Sequence, residues 1–219
     1  RWAGQKEMEP FEKDKDGVWL IHNLQEFELM RDLVNSGQGT YAADPYLLCS
    51  NIYGEGAAWN APIGTDQTPF AGRFEGFDYT IDGLVMTGSP YQGIFGVIKE
   101  REVKNLQTIN LSTDGNALKA GGIAAVNQGT IDKCGSGLNV GTSPFIHGNE
   151  IEDTEEYNNR INAKSLAGGV AGENIGSIRN SHSNALVRTE EVQGQAGGIT
   201  GKNTGSIENG YNTGRVDAQ

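Results

Sequence analysis

Little in this 219-residue chain suits metal binding or covalent cross-linking. Cysteine occurs twice, at Cys49 and Cys134, and histidine three times, at His22, His147 and His182. No CxxC pair is present and no Cys or His cluster completes a tetrahedral set, which argues against structural zinc, and no metal site is expected. The cysteines read as small apolar side chains, and nothing in their separation points to a disulfide. Positive charge is also short: 17 Lys and Arg against 28 Asp and Glu leave a net charge of −11. A chain so acidic lacks the phosphate-neutralising surface that nucleic acids require, and it has no basic patch to dock on anionic lipid. No apolar run approaches the roughly 20 residues of a membrane helix, so membrane insertion is not expected. HExxH, GxSxG and P-loop lysine motifs are all missing. GxGxxG-like strings do occur, but within glycine-rich corners, and no cofactor is expected from them.

Glycine, by contrast, is plentiful at 32 residues, without the G-X-Y period of collagen. Self-similarity explains much of it. Residues 120–140 read AGGIAAVNQGTIDKCGSGLNV, 167–187 read AGGVAGENIGSIRNSHSNALV, and 196–216 read AGGITGKNTGSIENGYNTGRV. The second and third blocks are identical at ten positions without a gap. A degenerate earlier copy occupies 93–111, beginning GIFGVI. Gly93 to Gly122 and Ala167 to Ala196 are both 29 residues, whereas Ala120 to Ala167 is 47. The pattern therefore has one period and one long inserted loop, expected at 141–162.

The aligned columns predict strands stacked coil on coil. Ile123, Val170 and Ile199 form one column, Ile131, Ile178 and Ile207 a second, and Val140, Val187 and Val216 a third. Such β-branched residues suit strands that place like side chains above one another. The double glycines at 121–122, 168–169 and 197–198 suggest corners with unusual dihedrals. Asn127, Asn174 and Asn203, each two residues before a glycine, read as turn residues that tolerate left-handed conformations, and as candidates for a stacked amide ladder. An isolated 29-residue unit buries too little apolar surface to offset its ordering entropy, so neighbouring coils are required. Together these features predict an all-β chain built as a right-handed parallel β-helix.

Upstream, Leu24, Phe27, Met30, Leu33 and Val34 share one face of an amphipathic helix. Asn23 and Glu26 make a capping-box-like start and Gly37 follows the end. This helix is expected to cap the first coil, which divides the chain into an N-terminal extension and capping helix at 1–40 and a β-helix at 41–219. A first strand and turn are expected at 41–62, then two strands in 69–86 with turns at Gly76–Asp78 and Asp82-Gly83.

The strings PIGTDQTPFAGRFEGFDYTIDGLVM, GIFG, GGVAGENIGSIRNSHS and GGITGKNTGSIENGYNTGRV resemble the GLUG-motif proteins, over roughly residues 20–216. The first block departs from that pattern at Ala125 and Lys133, which stand for the usual Gly and Asn. The resemblance implies a bacterial secreted or cell-surface protein with a haemagglutinin-like parallel β-helix. Such repeats occur in adhesins and in non-catalytic N-terminal regions of immunoglobulin-A-cleaving metallopeptidases, and they carry no fixed active site.

The insert is the leading binding candidate, because long loops on a regular stack tend to carry function. Phe145, His147 and Tyr157 offer anchors amid charge, with Glu152 and Asp153 beside them. The acidic run there lacks EF-hand spacing and reads as a solvated loop. Asp78 and Asp82, with Glu75 near, are candidates for the acid and base of glycoside cleavage, although they fit turn-forming, outward-facing positions better. The expectation is a non-enzymatic, adhesive or presenting module whose partner is a host or surface protein or glycan. Two alternatives are the substrate-recognition region of a larger, immunoglobulin-directed metallopeptidase and a carbohydrate-active β-helix enzyme. The start at Arg1 without Met, and the end at Gln219 directly after a repeat, lead us to expect a larger multidomain chain.

Overall fold

The computed structural model of the chain describes residues 9–137 and 159–219. Short strands separated by corners coil about one axis, and their neighbours lie one turn away rather than next in sequence. The result is a parallel β-solenoid of about six turns. Four sheets run along it. The first carries Trp19–Ile21, Pro45–Leu48, Arg73–Glu75, Phe95–Lys104 and Ala124–Asp132, then Ala171–Asn174 with Ser177–Arg179, and Thr200–Asn203 with Ser206–Glu208. The second runs from Ile52–Tyr53 to Tyr211–Asn212, the third from Ala58–Trp59 to Val216–Asp217, and the fourth from Tyr91–Gln92 to Gln195–Gly197. Every ladder between named strands is parallel except the opening pair, where Glu12–Lys13 runs antiparallel to Trp19–Ile21. The parallel ladder thus begins upstream of residue 41. The 41–62 and 69–86 segments form coils with more short strands than expected, Ala58–Trp59 and Val85–Met86 supplying the third side.

Register is the strongest agreement with the repeat pattern. Along the first sheet Trp19, Tyr46, Phe74, Val103, Ile131, Ile178 and Ile207 stand in a single column, one per rung. Large aromatic rings give way to β-branched side chains along that column. All but Ile207 are essentially buried. At the aromatic end sits the helix Leu24–Ser36. Asn23 accepts from the Glu26 N–H as N-cap, and Gly37 takes the left-handed C-cap at φ 68°. The Glu26 carboxylate reaches back to the His22 N–H at 2.7 Å, one residue beyond the expected box. Phe27 stacks on Trp59 with centroids 5.1 Å apart, and it also meets Phe74. With Met30 and Val34 it closes the core of the first coils.

Four sequence expectations need correction. Val140, expected in the third column, lies outside the described residues. Ile161 pairs with Val187 instead, and Val187 with Val216. Arg160–Ala163 is a strand of the stack, so residues 160–162 belong to the solenoid and not to the insert. The β-branched residue beneath Val187 is thus Ile161, C-terminal to the insertion.

The double glycines also have a different cause. None of the glycines at 121–122, 168–169 or 197–198 has positive φ. A Cβ on Gly169 would lie 2.0 Å from Ser183 Oγ and 2.1 Å from the Gly198 carbonyl oxygen of the next turn. Absence of a side chain allows close approach of successive coils, rather than an unusual dihedral.

Finally, Asn127, Asn174 and Asn203 are not left-handed. Asn127 Nδ2 donates to Asn174 Oδ1 at 2.8 Å, and Asn174 Nδ2 donates to Asn203 Oδ1 at 2.7 Å. The amide ladder therefore exists without the left-handed turn. That turn falls on another column, Asn105, Lys133, Asn180 and Asn209, with φ between 48° and 52°.

Candidate functional site

Phe145, His147, Glu152, Asp153 and Tyr157 all lie outside the described residues, so the candidate site can be described only through its attachment points. On either side of residues 138–158 the described stack ends just past the short strand Gly135–Ser136 and resumes at Asn159. Asn159 is fully buried. Its Nδ2 donates to Thr108 Oγ1 at 2.9 Å and to Ser136 Oγ at 2.8 Å, and its Oδ1 accepts from the Leu111 N–H at 3.0 Å. An amide so completely satisfied holds the returning strand in fixed register, because leaving any of these groups unpaired inside the coil would be costly. The insert is therefore rooted at a rigid seam between the second and third sheets. Sequence reasoning missed this anchor. Only the recurrence of Ser136 and Ser183 at one position of the repeat hinted at a polar interior there.

Of the three carboxylates that are candidates for glycoside cleavage, Glu75 and Asp82 are engaged in structure. Glu75 accepts from the Phe77 N–H at 2.7 Å and from Asn105 Nδ2 at 3.0 Å, and it lies 3.7 Å from Lys104 Nζ. Asp82 accepts from Asn110 Nδ2 at 2.8 Å. Asp78 is exposed beside the left-handed Phe77 at the corner. Glu75 and Asp82 tie one turn to the next by satisfying corner asparagines, while Asp78 faces outward at a turn.

Elsewhere, Glu173 draws together Lys119 and Lys202 from neighbouring turns, with Lys202 Nζ at 3.4 Å. Burial works against charge on Glu173, but the hydrogen bond and attraction from Lys119 outweigh it and hold the carboxyl below its usual range. Lys119 is likewise held above its usual range, against a desolvation that pulls the other way. His182 stacks on Tyr211 at 5.3 Å, and burial lowers its pKa. Both cysteines are free. Burial pushes the fully enclosed Cys134 thiol up to about 12, which leaves it unreactive at neutral pH. Among the described residues, no group of three or more His, Cys, Asp or Glu is placed to hold a metal ion. No described helix is long and apolar enough to cross a membrane.

No family model matches the chain, and no curated protein does. Its architecture is that of a solved bacterial structure. A crystal structure from Bacteroides ovatus, described as a putative immunoglobulin A1 protease, superposes with a TM-score of 0.73 at 22% sequence identity. The match covers 95% of this chain and 61% of that one. The chain thus corresponds to rather less than two thirds of a longer protein, and at this identity the likeness defines the fold alone.

Proposed function

We propose that this chain is a non-catalytic, ligand-presenting module of a secreted or surface-attached bacterial protein of the GLUG type. The observation that carries the reading is that Glu75 and Asp82 are committed to inter-coil hydrogen bonds, while the stack holds the roots of the insert rigid. A surface already ordered before contact loses little entropy on binding, which is what a presenting scaffold contributes. On this reading Phe145, His147 and Tyr157 anchor a host protein or glycan, with Glu152 and Asp153 setting charge preference.

A second reading is favoured by the Bacteroides structure, since its description names immunoglobulin A1 and this chain matches only 61% of it. There the module would position an immunoglobulin for a catalytic region elsewhere in a longer protein.

Incubating the purified chain with immunoglobulin A1 and with a panel of extracellular-matrix proteins and glycans separates these readings. Capture of a ligand with every substrate intact by mass spectrometry is the expected result, and capture of immunoglobulin A1 selects the second reading. Cleavage of any panel member would overturn the non-catalytic assignment. Binding unaltered by Phe145→Ala with Tyr157→Ala would remove the insert from the contact surface.

A further inference from the structure

Asp78 belongs to a strip that crosses the outer face of the second sheet at its first edge. There Thr80–Asp82 pairs with the edge strand Ile52–Tyr53. Ile52 and Ile81 point into the core, so Tyr53, Thr80 and Asp82 point out. Phe77, at 66%, and Tyr53, at 61%, are the most exposed aromatic side chains described. Phe77 leans on the half-buried Tyr79, with ring centroids 6.1 Å apart. Asn51 ties Tyr53 to the same strip. Its Oδ1 accepts from the Thr80 N–H at 2.9 Å, and its Nδ2 donates to the Tyr53 hydroxyl at 3.2 Å, which turns the Tyr53 ring back along its strand toward Thr80. Glu55 stands at the far corner, where the Gly56 N–H donates to the Gly83 carbonyl at 2.7 Å.

Charge sets this strip apart. Residues 50–56 and 77–83 include Glu55, Asp78 and Asp82 but no Lys or Arg, and the next rung, 105–111, has no charged residue. Among the described residues none of the three acids is ion-paired, and Asp82 accepts only from the neutral amide of Asn110. Elsewhere on the outer faces acids meet bases: Glu75 with Lys104, Asp132 with Arg179, and Glu173 with Lys119 and Lys202. Glu55, Phe77 and Asp78 also hold left-handed backbone, at φ 52°, 54° and 62°. Asn105, Asn180 and Asn209 take that conformation at later corners at lower cost, so a ring and two charges are displayed here against local strain. We propose that the strip binds an extended polypeptide segment rich in Lys or Arg. Its cationic heads lie over the faces of Phe77 and Tyr53, and Asp78, Asp82 and Glu55 neutralise them. Lys13 over Trp19 at 3.7 Å and Arg31 over Trp59 at 4.6 Å make the same kind of contact within the chain. Asp78 and Asp82 are at most about 13 Å apart along the backbone, a span matched by bases four positions apart on an extended peptide. A neutral glycan would use the rings but leave three carboxylates without opposite charge. The proposal rests on the binding-module reading and adds to it a site and a partner class independent of the insert.

The test is calorimetric titration of the whole chain with hexa-arginine, hexalysine, hexaglutamate and neutral maltohexaose. Binding of at least one basic peptide, weakening as salt rises, and of neither other probe, is expected. Tyr53→Ala with Phe77→Ala should lower that affinity at least about fivefold at an unchanged melting temperature. Should that pair melt early, Phe77→Leu, which keeps the bulk and loses the ring, must still weaken binding. Glu55→Gln with Asp78→Asn should lower affinity and reduce its dependence on salt. Glu190→Gln with Glu208→Gln removes the same charge from exposed sites at the other end of the stack and should leave affinity unaltered. Equal loss in that control, full affinity in the ring variants, tighter binding of maltohexaose, or no binding of either basic peptide would overturn the proposal. Each of these failures leaves the presenting-module reading intact, since that reading falls only on cleavage of a substrate.

Discussion

The two ends of the solenoid solve one packing problem with different chemistry. In the first turns the interior is filled by rings: Phe27 on Trp59, Phe74 against Phe95 at 5.4 Å, and Phe70 against Phe95 at 5.2 Å. Beyond residue 95 only Phe145, Tyr157 and Tyr211 are aromatic. There the interior is filled by Ala, Val and Ile, and the glycines let successive turns approach until a Cβ would strike a backbone oxygen. The first turns gain stability from side-chain volume, the later turns from close backbone contact and an amide ladder. The first coils also meet the helix, whose Phe27 packs on their rings, whereas the later coils repeat one glycine-rich block. A single register column passes through both regimes, so a parallel ladder tolerates a change of filling as long as rung follows rung.

Substitutions within that column should separate the regimes. Phe74→Ala removes a ring that touches both Phe27 and Phe95 and should destabilise by about 3–5 kcal/mol, read as a fall in urea midpoint. Ile178→Val, in the same column three rungs on, should cost only about 0.5–1.5 kcal/mol. Similar losses at the two positions would mean that side-chain volume matters equally along the axis. Gly169→Ala tests the glycine-rich regime directly. Its methyl has no room beside Ser183 and Gly198, so about 1–3 kcal/mol should be lost with a helix-poor circular dichroism spectrum unchanged.

The sequence made the period, the apolar columns, the capping helix and the asparagine stack legible, because each repeats or obeys a strong local rule. Ile131, Ile178 and Ile207 had to face the interior together if the blocks stacked at all. The side of the insertion was not legible, since Val140 and Ile161 are both β-branched and either could complete the third column. The glycines were misread because composition does not distinguish a residue needed for positive φ from one needed for close approach. Lys133 shows the same ambiguity: it holds the left-handed corner that Asn takes in the later copies, at φ 52°. The insert residues Phe145 to Tyr157 lie outside the described structure, so their part in binding rests on the experiments above.

The ladder offers a finer comparison within the glycine-rich half. Asn174 is buried between two like residues, accepting from Asn127 and donating to Asn203 and to the Ser206 carbonyl. Asn174→Ala strands polar atoms on both sides and should cost about 1–3 kcal/mol. Asn203→Ala, at the exposed end, removes a single inward bond and should cost about 0.5–1.5 kcal/mol. Equal costs would reduce the ladder to independent pairs, and a larger cost at the centre supports mutual reinforcement along it.

The smallest effect concerns pH. His182 lies over Gly135, stacked on Tyr211, and among the described residues its Nε2 has no hydrogen-bond partner. Burial therefore lowers its pKa below the ordinary 6.5. A depressed folded-state pKa means the unfolded chain takes up the proton first. The contribution is whole above about pH 6.5 and is lost as pH falls through the folded value. Urea midpoints measured at pH 7.5, 6.5 and 5.5 should decline across that window, and His182→Gln should flatten the decline while leaving other acid-sensitive groups in place. An unaltered slope in the variant would show that the ring sits in a more solvated setting than its stacking implies, and would weaken the picture of tightly closed turns at this end.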